Sequence, residues 1–160
     1  MTTQADHVSK VRDIADSARF AMLTTKDATG ALVSRPMTVQ EIGDDFTVLF
    51  ITQRETDVAQ QADGSQVNLA FQDGMDFVSI AGRGELRDDR AKLEELWNAA
   101  NEAFAEGGPE DPSNVILAVR GDTAQFWDSP SKPALAVGLV KSALGRGGRP
   151  DGGDSGVVNL

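Results

Sequence analysis

The sequence predicts a mainly β protein with helices (β/α+β), in which six or seven antiparallel strands form a sheet or barrel. Three observations support this fold class. Short apolar segments alternate with turn signals at hairpin spacing, one strongly amphipathic helix follows the fifth strand, and further helices lie near each end. Because few crossover helices separate the strands, we expect the helices to pack outside the sheet.

The first half of the chain contains most of the predicted strands. A helix over residues 7–18 comes first, with an apolar face made by Val8, Val11, Ile14, Ala15 and Ala18. Turn-forming residues at 26–30 and 43–45 separate the strands that follow, and a short helix is expected over Asp57 to Ala62. The predicted strands of this half are residues 20–25, 31–40, 46–52, 66–73 and 76–88.

The second half begins with one continuous helix over residues 88–104. Its apolar stripe consists of Leu93, Leu96, Trp97, Ala100 and Phe104, so Trp97 is expected in the core. Residues 115–128 are predicted as a hairpin with Gly121 and Asp122 at its tip. Residues 134–144 form a short helix or an irregular segment, 145–156 are expected to be flexible, and 157–160 are a terminal strand. All of this fits one domain over residues 1–160.

Composition excludes several classes of function. The formal net charge of -10 argues against nucleic-acid binding, because a phosphate backbone would be repelled. The chain has no cysteine and a single histidine, His7, which argues against a thiol nucleophile, a catalytic triad or a histidine metal cluster. Glycine-rich nucleotide loops and apolar runs of membrane-spanning length are missing. We therefore expect a soluble, cytoplasmic protein that binds neither nucleic acid nor membrane.

Arg35 is the most unusual residue of the predicted strands. It shares a strand face with Val33, Met37 and Val39, and a guanidinium on an apolar face needs an acceptor. That acceptor is a carboxylate of the fold or of a dimer interface, or else a ligand anion or carbonyl; a side chain that snorkels at the strand edge is a further possibility. Pro36 removes a ladder donor and places this strand at an edge or a bulge.

The segment "LFITQRETDVAQQ" passes from a strand into a short helix. Thr56 is a suitable N-cap, with Thr52 near it, and Arg54 is the only cation of the segment. Local sequence favours an ordinary capped helix over an anion site. Trp127 lies at the end of a strand, where an aromatic ring covers a planar ligand or takes part in an interface or core.

Several segments together carry a family resemblance. "SRPM", "LFITQRETD" and "VNLAFQD" come first, followed by "SIAGRGELRDDRAKLEELW", "DPSNVILAVRGDTAQFWDSP" and "GLVKSAL". In this order they resemble the general stress protein branch of the pyridoxamine 5'-phosphate oxidase-like flavoproteins. The match is collinear over nearly the whole chain, and "AQFWDSP" combined with the order of the other segments makes it specific.

The resemblance implies a split β-barrel that forms a homodimer, with flavin mononucleotide (FMN) held at the dimer interface. Trp127 would close the site near the flavin ring, while Asn68 and Gln72 would face the partner's cofactor. Thr56 would lie at the phosphate end, and Arg54, the only cation of the segment, is a further candidate there. The residues placed beside the ring and the ribityl chain are Arg35, Pro36, Met37, Phe50, Ile51, Thr52 and Gln53.

The chain departs from the family pattern at Asp57, where many members carry a lysine. Two charges about 4 Å apart interact by about 4 kcal/mol at an effective dielectric near 20, so an aspartate here weakens phosphate binding. The resemblance thus implies an FMN-dependent oxidoreductase of unknown substrate, with no side chain named as catalytic and none as a metal ligand. Alternatives are a non-catalytic flavin-storage protein, a protein that has exchanged its cofactor for deazaflavin or haem, and a barrel dimer with another ligand.

Overall fold

The computed structural model describes residues 2–130, 132–145 and 153–160. Its strands form one antiparallel sheet that curls into a half-barrel, and this confirms the predicted fold class. The helices are α1 (Gln4–Ser17), α2 (Asp57–Ala62), α3 (Arg90–Leu96), α4 (Ala99–Phe104) and α5 (Lys132–Ala143). The strands are β1 (Phe20–Lys26), β2 (Leu32–Thr38), β3 (Glu41–Ile42), β4 (Thr47–Gln53), β5 (Gln66–Asp73), β6 (Asp76–Arg87), β7 (Asn114–Asp128) and β8 (Asp154–Asn159).

The order of strands across the sheet is β2-β1-β5-β6-β7-β4-β3, with β8 paired to the second half of β7. β2 is therefore an edge strand, as Pro36 predicts. The inner face of the sheet carries the main core, in which Phe50, Phe71 and Phe126 are fully buried. A fully buried large apolar side chain contributes about 1.5–3 kcal/mol, so this face provides most of the stabilisation.

Helix α1 closes the inner face of the sheet with the apolar stripe that its periodicity predicts. Val11, Ile14 and Ala15 are buried against the core. A capping box starts the helix, because the Thr3 side chain accepts from the amide of Asp6 while the Asp6 carboxylate accepts from the amide of Thr3. Local sequence signals and packing thus agree for this element.

The single helix predicted over residues 88–104 is wrong, because α3 and α4 are separate. Asn98 caps α4 by accepting from the amides of Ala100 and Asn101, and Trp97 before it has an extended backbone. Trp97 is half-buried against a small second cluster beneath α3 rather than in the main core. Phe104 is 91% exposed, so it does not belong to a buried stripe.

The hairpin predicted at Gly121 is also wrong, because β7 runs as one strand from Asn114 to Asp128. Gly121 pairs with Gly82 of β6, next to a register shift between Ala81 and Gly82. A Cβ on Gly82 would lie 2.3 Å from the carbonyl oxygen of Arg120, so glycine allows the two strands to approach at the bulge. The sheet has eight strands rather than six or seven.

At the C-terminal end, residues 134–144 fall largely within α5, and the predicted terminal strand is the end of β8. Residues 145–156 are the segment predicted to be flexible. Most of this segment, residues 146–152, lies outside the described residues, whereas Asp154 to Gly156 already belong to β8. None of the described helices has the length and apolar character needed to span a bilayer.

Candidate functional site

Arg35 lies on β2 with its side chain on the inner face of the sheet, opposite the buried Leu23 of β1. The period-two pattern therefore predicts its orientation correctly. Because β2 is at the sheet edge, this part of the inner face is only partly covered, and Arg35 and Met37 are half-buried while Val33 is exposed. Arg35 is thus available from the open side of the half-barrel.

The acceptors of Arg35 are neutral. Its Nη1 donates to Thr25 Oγ1 at 2.5 Å and its Nη2 donates to Gln61 Oε1 at 3.2 Å. Thr25 Oγ1 in turn donates to Gln61 Oε1 at 2.6 Å, and Thr25 is buried. Within the described part of the chain, no carboxylate forms an ion pair with Arg35. Its positive charge is held in position without being neutralised.

Sequence reasoning missed Thr25 and Gln61. Thr25 stands on the inner face of β1 and reads as an ordinary β-branched strand residue, and Gln61 reads as a solvated position of a short helix. The available signal was the inward alternation of β1, which places Thr25 beside the strand that carries Arg35. Nothing local to α2 indicated that Gln61 would reach this side chain.

The strand-to-helix corner between β4 and α2 contains Thr52 and Thr56. The hydroxyls of these two residues lie 3.1 Å apart, and Thr56 Oγ1 donates to the carbonyl of Gln53 at 2.7 Å. Thr56 also caps α2 by accepting from the amide of Ala59 at 3.4 Å. Gln61 is five residues further along α2, about 7.5 Å at 1.5 Å per residue, so the same short helix joins this corner to Arg35.

One edge of β4 is free along the last part of the strand. β3 pairs only with Val48 and Leu49 of β4, and no strand of the described chain pairs with that edge from Phe50 to Gln53. Because Phe50 is fully buried, the backbone N–H and C=O groups of this edge are within reach of a ligand only from Ile51 to Gln53. The side chains are not equally available, because Phe50 is fully buried in the core and Ile51 packs on the cluster beneath α3.

The charges at the corner are unfavourable for a phosphate. Asp57 is exposed at the start of α2. Arg54, which could have offset it, forms an ion pair with Asp88. Hydrogen bonding from Arg90 and then the charge of Arg54 hold the pKa of Asp88 below its ordinary value, so this carboxylate stays charged and keeps Arg54 engaged.

The other predicted site residues lie on the outer face of the sheet. Asn68 Nδ2 donates to Ser79 Oγ at 2.9 Å, Gln72 Nε2 donates to the carbonyl of Gly74 at 3.0 Å, and Pro36 is exposed on β2. Trp127 is 46% exposed and pairs with Phe77 of β6. These residues therefore face away from the side of the sheet that carries Arg35.

Arg35 and Trp127 do not converge within one chain. Their strands are four steps apart in the order β2-β1-β5-β6-β7, about 19 Å along the sheet at 4.8 Å per step, and the two side chains point to opposite faces. A ligand that touches both residues needs Trp127 from a second copy of the chain.

The residues near Arg35 fit a flavin nucleotide in part. An oriented guanidinium without a carboxylate partner, two hydroxyls and a free strand edge match the carbonyl and hydroxyl groups of an isoalloxazine ring and a ribityl chain. Asp57 does not match a phosphate. The placement of the thirteen predicted cofactor residues on a bound flavin stays a prediction.

Comparison with solved structures shows the same fold in several proteins. The chain superposes with a TM-score of 0.80 on a protein described as general stress protein 26 from Jannaschia sp. CCS1, which is 24% identical; 98% of this chain and 99% of that one are covered. A general stress FMN/FAD binding protein from Xanthomonas citri is 33% identical with a TM-score of 0.60, over 69% of this chain and 80% of that one.

A haem binding protein from Mycobacterium smegmatis shares the fold at 14% identity and a TM-score of 0.62, covering 98% of this chain and 58% of that one. Comparison with curated proteins finds no match.

The family comparison agrees with the resemblance read from the sequence. The model of the family described as pyridoxamine 5'-phosphate oxidase like matches residues 6–151, which include β2, the β4–α2 corner and β7. These are the segments that carry the predicted site. The chain belongs to the pyridoxamine 5'-phosphate oxidase-like family.

Proposed function

We propose that this protein is an FMN-binding flavoprotein of the general stress type, which works as a homodimer and acts as a flavin-dependent oxidoreductase. The observation that carries the proposal is the Arg35 guanidinium, oriented by Thr25 and Gln61 and left without a carboxylate partner in the described chain. A positive charge held in this way on a partly covered face suits an electron-rich carbonyl or an anion of a bound cofactor.

The outer face of the sheet supports the homodimer. Three cross-strand rows run over six strands of this face. The first row is Ser34, Thr24, Asn68, Ala81, Thr123 and Asn159, and the second is Pro36, Met22, Ala70, Ser79, Gln125 and Val157. The third row is Gln72, Phe77, Trp127 and Ser155, with Phe20 and Thr38 beside it. None of these residues is charged, although 25% of the chain is. We call these residues the uncharged face.

The size of the uncharged face suits a stable interface. Six strands at about 4.8 Å spacing and three rows about 6.8 Å apart cover on the order of 600 Å² of flat sheet. A standard interface buries about 800 Å² per partner, which this face approaches once the relief of its side chains is counted. Phe20, Met22, Phe77 and Val157 are exposed on it, so a second copy would remove apolar surface from water.

In the proposed dimer, each protomer supplies different groups to a site. Arg35, Thr52 and Thr56 hold the flavin from one chain at the open edge of its inner face, beside the edge strand β2, and Trp127 of the second chain covers the ring at that edge. The flavin supplies the electron or hydride chemistry when bound. The protein orients the ring, tunes its electron affinity through the Arg35 charge and excludes water, so no side chain is required as an acid, base or nucleophile.

The test is a flavin titration of the purified protein, followed by quenching of FMN fluorescence. We expect one FMN per chain, a dimer in sedimentation, and binding at least tenfold weaker in Arg35→Ala. Arg87→Ala is a matched control, because Arg87 is an exposed arginine at the end of β6, outside both the proposed site and the uncharged face. A protein that fails to quench FMN fluorescence, or an Arg35→Ala variant with unchanged affinity, would contradict the proposal.

The charges at the β4–α2 corner favour an alternative function, a flavin-storage protein. Asp57 is exposed at this corner, and Arg54 is held in an ion pair with Asp88. Anaerobic mixing with NADPH or NADH separates the two functions. Reduction of the bound FMN by either donor would support the oxidoreductase, because a storage protein binds FMN and leaves it oxidised. Haem is less well supported, because the single histidine, His7, packs on Phe126 rather than near Arg35.

A further inference from the structure

A second cationic site lies on the sheet away from Arg35. A cavity of about 280 Å³ is lined by Arg83, Arg87 and Arg120, together with Asp63, Glu85 and the backbone of Gly64. We call it the arginine cavity. Three arginines around one cavity are unusual in a chain that has 25 acidic and 15 basic residues, and the proposed flavin site uses none of them.

Two of these arginines are direct cross-strand neighbours. Arg83 of β6 is in register with Arg120 of β7, so the two side chains leave the same face of the sheet, and both are exposed. Like charges directly opposite each other on an antiparallel pair destabilise the sheet. The pair therefore costs stability in the free chain, and an anion between the two side chains would remove that cost.

Each carboxylate of the cavity already has a hydrogen-bond partner, although Asp63 bonds only to a neutral amide and keeps its charge. Asp63 Oδ1 accepts from the amide of Leu86 at 3.0 Å, and Glu85 Oε2 pairs with Arg87 Nε at 3.1 Å. Arg83 Nη2 donates to the carbonyl of Gly64 at 2.8 Å, a contact that orients its guanidinium but does not neutralise it. Within the described residues, Arg120 forms neither an ion pair nor a side-chain hydrogen bond.

The geometry points to a phosphate-binding site formed by Arg83 and Arg120. A guanidinium presents N–H donors in a planar fork that matches phosphate oxygens. Phosphate has enough oxygens to accept from two forks at once, whereas one carboxylate is satisfied by a single fork. The cavity is small for a drug-sized ligand, so its occupant is inorganic phosphate or the phosphoryl group of a small phosphomonoester.

This site is distinct from the proposed flavin site. Arg35 is on the inner face of β2, and β6 is three strands away in the sheet order. We therefore expect phosphate to bind equally well to flavin-free and FMN-saturated protein. This independence makes failure of the phosphate site distinguishable from failure of the flavin site.

The experiment is calorimetric titration of the full chain with sodium phosphate, at an ionic strength held constant with chloride. Arg83→Gln and Arg120→Gln should each weaken phosphate binding at least tenfold. Arg120→Lys keeps the charge but loses the planar fork, so its phosphate affinity should lie between that of the two Gln variants and that of the wild type. Arg19→Gln is the matched control and should bind phosphate like the wild type. Glycerol 3-phosphate is titrated in parallel, and tighter binding than phosphate identifies a phosphomonoester as the occupant.

Stability measurements guard against misfolding of the variants. Because the like-charge contact is removed, Arg120→Gln should melt at the same temperature as the wild type or higher in dilute chloride. Phosphate should raise the melting temperature of the wild type and of Arg19→Gln, but not that of Arg83→Gln or Arg120→Gln. The inference is overturned if Arg83→Gln and Arg120→Gln both bind phosphate like the wild type, if Arg19→Gln loses as much phosphate affinity as those two variants, or if FMN displaces the phosphate.

Discussion

Gln61 and Thr25 form a hydrogen bond of 2.6 Å between Oε1 and Oγ1, and Arg35 donates to both acceptors. This bond joins α2 to β1 through neutral groups. A glutamate at position 61 would keep the geometry and add the carboxylate that Arg35 lacks. Gln61 is thus a positioning residue whose neutrality preserves the charge of Arg35.

We therefore expect Gln61→Glu to lower FMN affinity by about tenfold, equivalent to about 1.4 kcal/mol, because Arg35 would be neutralised. Gln61→Met is the matched control for loss of the hydrogen bonds alone and should lower affinity less. Fluorescence titration with FMN measures both. Equal affinity of Gln61→Glu and wild type would show that the charge of Arg35 does not serve the flavin.

Asp57→Lys should raise FMN affinity by one to two orders of magnitude. The substitution replaces a repulsive charge by an attractive one at the corner where the phosphate is proposed, and each 1.4 kcal/mol of gain is tenfold in the dissociation constant. Asp44→Lys makes the same charge change in the exposed β3–β4 turn, at the far end of β4 from Thr52, and should have little effect. Equal effects of the two variants would contradict the placement of the phosphate.

Ala70→Lys should dissociate the proposed dimer. Ala70 is exposed near the middle of the uncharged face, between Met22 and Ser79. A lysine there would have to lose its hydration in the interface, and we expect the dimer dissociation constant to rise at least a hundredfold. Sedimentation equilibrium measures this change, with Ala91→Lys on the exposed side of α3 as the control. If the wild type sediments as a monomer, the uncharged face has another role.

Stability should fall in acid partly through Asp154. Lys10 bonds to Asp154 at 2.9 Å and holds the pKa of this carboxylate below its ordinary value, and Asp128 and His7 lie beside the pair. Since the folded pKa is the lower one, the stabilisation is complete above about pH 4 and is lost as the pH falls through the folded pKa. The ion pair between Lys10 and Asp154 thus holds α1 against β8 at neutral pH.

Asp154→Asn should therefore lower the free energy of unfolding at pH 7, and the difference from wild type should shrink at about pH 3. Urea unfolding at both pH values measures it. Asp122→Asn is the control, because the carboxylate of this exposed residue makes no ion pair within the described chain. A difference that stays constant with pH would show that Asp154 stabilises β8 by other means.

Local signals predicted the elements that depend on local chemistry. The N-cap Thr56 and the polar run after it predict the observed bounds of α2. The alternation of side chains along β2 predicts the inward orientation of Arg35. Tertiary context decided the rest. Asn98 interrupts an apolar stripe that looks continuous, and Gly121 continues β7 opposite Gly82 rather than forming a turn. The contact of Gln61 with Arg35 spans 26 residues, and no sequence pattern reports it.

The four-strand separation of Arg35 and Trp127 has a consequence for mixed assemblies. If Trp127 covers the site of the other copy, an Arg35→Ala chain paired with a Trp127→Ala chain contains one site with both defects and one site with neither. Each mixed dimer would then have half of the full flavin-binding capacity, so equal amounts of the two inactive preparations would regain about a quarter of it when their subunits exchange at random. Such complementation requires that every site be shared between two chains, so it reports the architecture of the site independently of its chemistry.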